Sequence, residues 1–112
     1  MEISQKREGE VVVLGPVGQI DNETSPVFQT ELLQAVGEGN GRVLVDFERV
    51  DYISSAGLRA LMTASKKTKA GGGRIGVAAL NKMVKEIYEI SRFTLVVPAF
   101  DTIAEAITAL TR

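Results

Sequence analysis

The chain has 112 residues, of which 45% are hydrophobic and 24% are charged, so it can fill the core of a single domain spanning residues 1–112. Its formal net charge of −1 provides no long-range field that would attract nucleic acid or an anionic membrane. Cys, His and Trp are absent, which excludes disulfides, Ser-His-Asp catalysis and most transition-metal sites. We therefore expect a binding protein with no metal or other cofactor rather than an enzyme.

The location of the protein follows from two further absences. No apolar run approaches the roughly 18–20 residues that a membrane span needs. Residues 1–7 also lack the apolar core of a signal peptide. The sequence thus predicts a cytoplasmic protein with no membrane partner.

The first half of the chain predicts three strands and one helix. Residues 2–8 fit an edge strand, and residues 10–14, with three successive β-branched valines, indicate a central strand that is antiparallel to it. Ser25 and Pro26 predict a helix start with Ser25 as the cap, and one helix face is apolar: Phe28, Leu32, Ala35 and Val36. Glycines end this helix at 37, 39 and 41. Residues 42–47 are typical of a strand that is buried on both faces.

The second half alternates helices and strands. A helix is predicted from Ser55 to about Lys69, followed by a glycine-rich turn and a strand over residues 74–79. Asn81 is expected to cap the next helix, residues 93–97 to form a short last strand, and Asp101 to cap a final helix. Alternation of this kind predicts an α/β fold: a small, mixed but mainly parallel sheet covered by about four helices.

Two hydroxyl side chains, those of Ser54 and Ser55, lie where the chain passes from a strand region into a helix. A helix N-terminus has free backbone N–H groups and a partial positive charge, so it accommodates an anion. A serine at this position can simply cap the helix. It can equally be a regulatory phosphorylation site, because the helix terminus would tolerate the phosphate.

Three carboxylates form a second candidate site. Asp46 and Asp51 lie near the strand end before this helix, and parallel packing can bring Asp21 to the same edge of the sheet. Such residues serve either as turn and cap residues or as an acidic rim that binds Mg²⁺.

The end of the same helix carries a basic cluster, consisting of Lys66, Lys67, Lys69 and Arg74. Cations in a last helical turn complement the helix dipole and are usually solvated. A docking patch for an acidic partner is the alternative.

Several of these segments together resemble a known family. Residues 44–47 and 50–61 contain Leu-Val-Asp-Phe and Val-Asp-Tyr-Ile-Ser-Ser-Ala-Gly-Leu-Arg-Ala-Leu, which resemble the signature of the STAS domain. The pattern is most similar to that of bacterial anti-sigma factor antagonists. Residues 18–25 resemble the family's first turn, and residues 97–110 resemble its usual ending, so the likeness extends over essentially the whole chain.

The resemblance implies a partner-switching role. Such a protein binds a serine-kinase-type anti-sigma factor while unphosphorylated, and so frees a sigma factor or another output. The kinase then phosphorylates a Ser or Thr at the helix start, which breaks the complex, and a serine phosphatase reverses the modification. The expected partner-binding residues are Asp21, Asp51, Ile53, Ala56, Gly57, Leu58 and Arg59. ATP belongs to the kinase, and the free protein is expected to be a monomer.

The chain departs from the family at the phosphoacceptor. The usual motif is Asp-Ser-Ser/Thr-Gly with the acceptor before the glycine, whereas this chain has Ser54-Ser55-Ala56-Gly57. Ala56 has no hydroxyl, so the acceptor has moved to Ser55, one step from the usual position, or to Ser54, or the protein binds constitutively. The last case predicts a phosphorylation-independent scaffold or a subunit of a larger signalling or transport complex. A small nucleotide-binding enzyme that uses Asp21, Asp46 and Asp51 is a further alternative.

Overall fold

The computed structural model describes residues 1–38 and 41–112, so the helix-ending role expected of Gly39 lies outside the described residues. The strands are β1 (Glu2–Glu8), β2 (Val11–Ile20), β3 (Arg42–Asp46), β4 (Val50–Ile53), β5 (Arg74–Ala78) and β6 (Ala99–Phe100). The helices are α1 (Ser25–Val36), α2 (Ser55–Ala70), α3 (Lys82–Ile90) and α4 (Ile103–Thr111), with a 3₁₀ turn at Phe93–Leu95. Among these residues, no helix is both long and apolar enough to cross a membrane.

The strands form a mixed sheet in the order β1-β2-β3-β5-β6. β1 pairs with β2 in antiparallel fashion, and every other pairing is parallel. β2 is long enough to pair with two parallel strands in succession: Val11–Leu14 align with β3, and Gly18–Ile20 align with β4. The predicted mixed, mainly parallel sheet with four helices is confirmed.

Both faces of the sheet are buried, as the continuous apolar runs predict. Val12 and Leu14 belong to the larger core cluster, which includes buried residues of α1, α2 and α3. Val11 and Val13, which alternate with them, belong to a smaller cluster that Ala106 and Leu110 of α4 complete. The helices therefore cover the sheet from both sides, with α4 packed against the smaller cluster.

The structure corrects three local predictions. Residues 93–97 do not form a strand, because Arg92 has a left-handed backbone (φ 54°) that turns the chain into the 3₁₀ turn. Thr102, not Asp101, caps α4, since the Thr102 side chain accepts from the Glu105 N–H at 3.1 Å. Ser25 is the first residue of α1 rather than its cap, which is Thr24.

Candidate functional site

The starts of α1 and α2 lie at the same edge of the sheet. Ile20 pairs with Ile53 in the parallel β2–β4 ladder, and the Ser54 N–H donates to the Ile20 carbonyl at 2.8 Å. Each strand ends there and is followed within a few residues by its helix. This register makes Asp21, the first residue after β2, a neighbour of Ser54.

Ser54 is the N-cap of α2. Its backbone is extended (φ −91°, ψ 174°), and its Oγ accepts from the Gly57 N–H at 3.3 Å. The side chain is half-buried. Ser54 therefore has the structural role that the sequence allowed for it, because its hydroxyl satisfies one of the free N–H groups of the first turn.

Ser55 has a different environment although it is the adjacent residue. It is the first residue of α2 and is exposed. Within residues 1–38 and 41–112 its hydroxyl makes no hydrogen bond, so the Oγ is accessible to solvent. Arg59 follows one helical turn later and is also exposed, whereas Ala56 is half-buried. Residues four apart share a helix face, so a charge on Ser55 would lie beside the Arg59 guanidinium.

Gly57 allows α2 to pack closely on the strand ends. A Cβ built on Gly57 would lie 2.6 Å from Ile53 Cγ1 and 2.7 Å from Ile20 Cγ2. Ile53 is fully buried, and Leu58 is only 8% exposed. Ile53, Gly57 and Leu58 are thus buried in the free chain and pack the start of α2 against the sheet, and their expected contact with a partner stays a prediction.

Asp21 organises the turn between β2 and α1. Its Oδ1 accepts from the N–H groups of Thr24 at 3.0 Å and Glu23 at 2.9 Å. The hydrogen bond from the Thr24 N–H is the main reason why the pKa of Asp21 lies below its usual value. The side chain therefore keeps its negative charge beside the start of α2 at any ordinary pH.

The three aspartates do not form one acidic rim, because Asp46 lies far from Asp21. Asp51 is exposed and lies where the β2–β4 register shifts. Asp46 Oδ1 accepts from the Glu48 N–H at 2.9 Å, and its strand aligns with the first half of β2. Asp46 comes directly after the β3 residue that pairs with Leu14. About six residues of β2, or roughly 20 Å along the strand, therefore separate the level of Asp46 from Asp21. Among the described residues no cluster of three carboxylates could hold a metal ion.

Apolar side chains that the sequence analysis did not assign to the site are also exposed around it. Tyr52, in β4, is 38% exposed, and Met62 of α2 is 36% exposed. Met62 lies seven residues after Ser55, which is a spacing that places both on one helix face. In the sequence, this spacing is the one signal that could assign Met62 to the site. The apolar character of Met62 fits a core position equally well, so the sequence alone does not decide. Exposed apolar groups beside charged ones are typical of protein interfaces.

Comparisons with known proteins agree with this fold and motif. The STAS domain family model matches residues 2–106. BtrV of Bordetella bronchiseptica, whose name assigns it provisionally to the anti-sigma factor antagonists, is 35% identical over 81 residues. The match covers 72% of this chain and 70% of BtrV.

Two solved proteins are similar in structure. An anti-sigma factor antagonist from Mycobacterium paratuberculosis has a TM-score of 0.89 at 21% identity, covering 99% of this chain and 94% of that one. The anti-sigma factor antagonist SpoIIAA in its unphosphorylated form has a TM-score of 0.79 at 18% identity, covering 98% and 96%. SpoIIAA of Bacillus in its phosphorylated form has a TM-score of 0.73 at 17% identity, covering 99% and 100%. At these identities the solved structures establish a common fold.

Proposed function

The chain belongs to the STAS domain family, among its anti-sigma factor antagonists, and from this premise we propose that it is a non-enzymatic switch controlled by phosphorylation of Ser55. In the unphosphorylated form it binds a serine-kinase-type anti-sigma factor. Phosphorylation by that kinase breaks the complex, and a serine phosphatase restores binding. The kinase supplies the ATP, and the switch operates in the cytoplasm on a free monomer that needs no cofactor.

The contrast between Ser54 and Ser55 carries this proposal. The Ser54 hydroxyl is half-buried and caps α2, whereas Ser55 is exposed with a hydroxyl that has no hydrogen bond within the described part of the chain. A kinase needs access to the acceptor oxygen, and Ser55 meets this requirement without loss of the cap. This observation favours Ser55 over Ser54 as the displaced acceptor beside the inert Ala56.

The charges around Ser55 support a switch that leaves the domain folded. A phosphate brings a charge of about −1.5 to −2. It would lie at the positive end of α2 and beside Arg59, both of which accommodate an anion. On the surface that faces a partner, however, it would add to the carboxylates of Asp21 and Asp51. Repulsion and the desolvation of the phosphate would then weaken binding.

The proposed partner surface consists of the exposed or half-exposed groups at this edge: Asp21, Asp51, Tyr52, Ser55, Ala56, Arg59 and Met62. Met62 and Tyr52 supply apolar contact area, and the charged residues supply specificity. The buried residues Ile53, Gly57 and Leu58 act indirectly by fixing the start of α2.

A tryptic phosphopeptide tests the acceptor directly. Cleavage after Arg49 and Arg59 releases residues 50–59, which contain Ser54 and Ser55 as their two serines. Fragmentation between these residues distinguishes the two sites. We expect phosphate on Ser55 in protein isolated from its native cells under at least one growth or stress condition. Phosphate confined to Ser54, or absent under all conditions, contradicts the proposal.

A binding experiment tests the switch itself. The kinase that co-purifies with the wild-type chain is titrated against Ser55→Asp and against Thr108→Asp, a control that adds the same charge to an exposed position of α4. We expect Ser55→Asp to raise the dissociation constant at least about tenfold, which corresponds to about 1.4 kcal/mol, and Thr108→Asp to leave it unchanged. Equal effects of both substitutions, or none, would refute a switch at Ser55.

Constitutive binding is the second candidate, and Ala56 at the family's acceptor position favours it. In that case a partner would bind the same surface, no phosphate would be found on residues 50–59, and Ser55→Asp would disturb only local contacts. The chain would then be a phosphorylation-independent scaffold, or a subunit of a larger signalling or transport complex.

A further inference from the structure

A cavity of about 350 Å³ lies at the opposite end of α2 from Ser55. It is formed by the C-terminal half of α2, the start of β5, the segment before β6 and the last turns of α4. Ser65 and Thr68 of α2 lie ten and thirteen residues after Ser55, which is about 15–20 Å along the helix axis. The cavity is therefore separate from the proposed partner surface.

The walls of this cavity are mainly apolar. Ile75, Val96, Phe100 and Leu110 contribute to the lining. The hydroxyls of Ser65 and Thr68 also line it, but each already donates to a backbone carbonyl, at 3.2 Å to Val96 and at 2.8 Å to Ser65. These two side chains therefore have no hydrogen to offer an anion, and the cavity fits a mostly apolar molecule.

Two cations complete the lining. Lys69 and Arg74 are both exposed at the cavity, and none of the described residues that line it is acidic. One N–H of Arg74 donates to the Ala109 carbonyl at 3.2 Å, which holds the guanidinium against α4 and leaves its other N–H groups free. The cations of this cavity are thus available to an anionic group.

The neighbouring cavity beside α3 shows why this arrangement is distinctive. It has a volume of about 280 Å³, and its lining contains Lys85 together with Glu89 and Asp101. The Lys85 ammonium lies 3.9 Å from an Asp101 carboxylate oxygen, so an acidic group already lies beside it. An anion would gain little there, whereas the charges of Lys69 and Arg74 have no such counterpart in their cavity.

We propose that the cavity between α2, β5 and α4 binds a small monocarboxylate with an apolar body. The apolar part fills the space between Ile75, Phe100 and Leu110, and the carboxylate pairs with Lys69 and Arg74 at the opening. This proposal gives a role to half of the basic cluster at the end of α2. Lys67 lies outside that role, since its ammonium donates to the Leu33 carbonyl at 3.3 Å on the α1 side.

Octanoate is the probe, titrated into the ¹⁵N-labelled chain of 112 residues and followed by two-dimensional amide spectra. We expect saturable shifts at amides of residues 65–75, 96–97, 99–100 and 109–110, and none at residues 51–59. Octylamine has the same apolar body with the opposite charge and should not bind. Octanol, which is uncharged, should bind at least about fivefold more weakly. Shifts that do not saturate at millimolar octanoate, or equal binding of octanol, overturn the proposal.

Two variants locate the site. Lys69→Gln should weaken octanoate binding about five- to tenfold, while Lys66→Gln, an exposed lysine of the same helix that does not line the cavity, should leave it unchanged. Ala109→Leu should abolish binding by filling the cavity. If Ala109→Leu impairs folding, the comparison of Lys69→Gln with Lys66→Gln still tests the proposed site, since both side chains are exposed. Equal effects of the two lysine substitutions contradict the assignment. No kinase or phosphate enters these titrations, so their outcome is independent of the proposed function.

Discussion

Replacing Gly57 with alanine tests how the start of α2 is held. The added Cβ would lie 2.6 Å from Ile53 Cγ1, 3.2 Å from Ile53 Cδ1 and 2.7 Å from Ile20 Cγ2. Both isoleucines are fully buried, so neither can move into free space. The helix must therefore shift away from the ends of β2 and β4, or the two side chains must leave their preferred rotamers.

The magnitude follows from two opposing effects. Overpacking a filled core destabilises by about 1–3 kcal/mol. Alanine regains up to about 1 kcal/mol relative to glycine through its higher helix propensity. We therefore expect Gly57→Ala to lower the free energy of unfolding by about 1–2 kcal/mol, which corresponds to a fall of about 4–8 °C in Tm for a domain of this size.

Calorimetry and urea denaturation measure both quantities, and Gly71→Ala is the matched control. Gly71 follows α2 with φ −92°, and a Cβ there would lie 3.7 Å from the Lys67 carbonyl oxygen, an ordinary contact. We expect this control to be neutral or stabilised by up to about 1 kcal/mol. If Gly57→Ala were as stable as Gly71→Ala, close packing of α2 on the two isoleucines would not be what positions the site.

Three further predictions concern individual hydrogen bonds. Ser54→Ala should lower the unfolding free energy by about 1 kcal/mol through loss of the cap, and Ser55→Ala should change it by less than about 0.5 kcal/mol. If urea denaturation gave equal losses for both variants, the assignment of Ser54 as the cap and Ser55 as an unbonded surface residue would be contradicted. Tyr88→Phe should lower the unfolding free energy by about 1–3 kcal/mol, because the buried hydroxyl donates to the Val97 carbonyl at 2.6 Å and its removal leaves that carbonyl unpaired. An unchanged denaturation midpoint would argue against this hydrogen bond. The folded-state pKa of Asp21 lies below 3.8, so the Asp21 carboxylate contributes fully to stability above that pH and loses this contribution as the pH falls through the folded-state pKa. Asp21→Asn should therefore flatten the loss of stability in acid. An acid denaturation curve parallel to that of the wild type would exclude the contribution.

The helices were predictable because each has its own apolar face, but two strand regions were not. β2 continues through Pro16, which a central strand would normally exclude. Residues 15–17 pair with β1 but with neither β3 nor β4, so β2 is locally an edge there and the missing N–H removes no bond from those strands. Such a gap between two partners is a property of the assembled sheet, and it has no local sequence signal.

Residues 93–97, three of which are β-branched, gave a false strand for a similar reason. Phe93 packs edge-to-face against Tyr88, with ring centroids 5.3 Å apart, which favours a compact turn over an extended segment. That contact joins α3 to the next turn and overrides local propensity.

The candidate site was predictable in part. The neighbouring position of Asp21 and Ser54 follows from parallel strands that end together. The remoteness of Asp46 depends on which half of β2 its strand joins, and the exposure of Met62 depends on which helix face is covered. Neither is encoded in spacing alone.

The double pairing of β2 also has a consequence for dynamics. The start of α2 is bonded through Ser54 to Ile20, at the end of the same continuous strand whose beginning pairs with β1 and β3. Separating this edge from β2 disturbs the strand that organises the whole sheet, so we expect the amides of Ile20 and Ser54 to be better protected from hydrogen exchange than those of the chain termini. We therefore expect a modification of Ser55 to be sensed as altered surface charge and shape rather than as local melting.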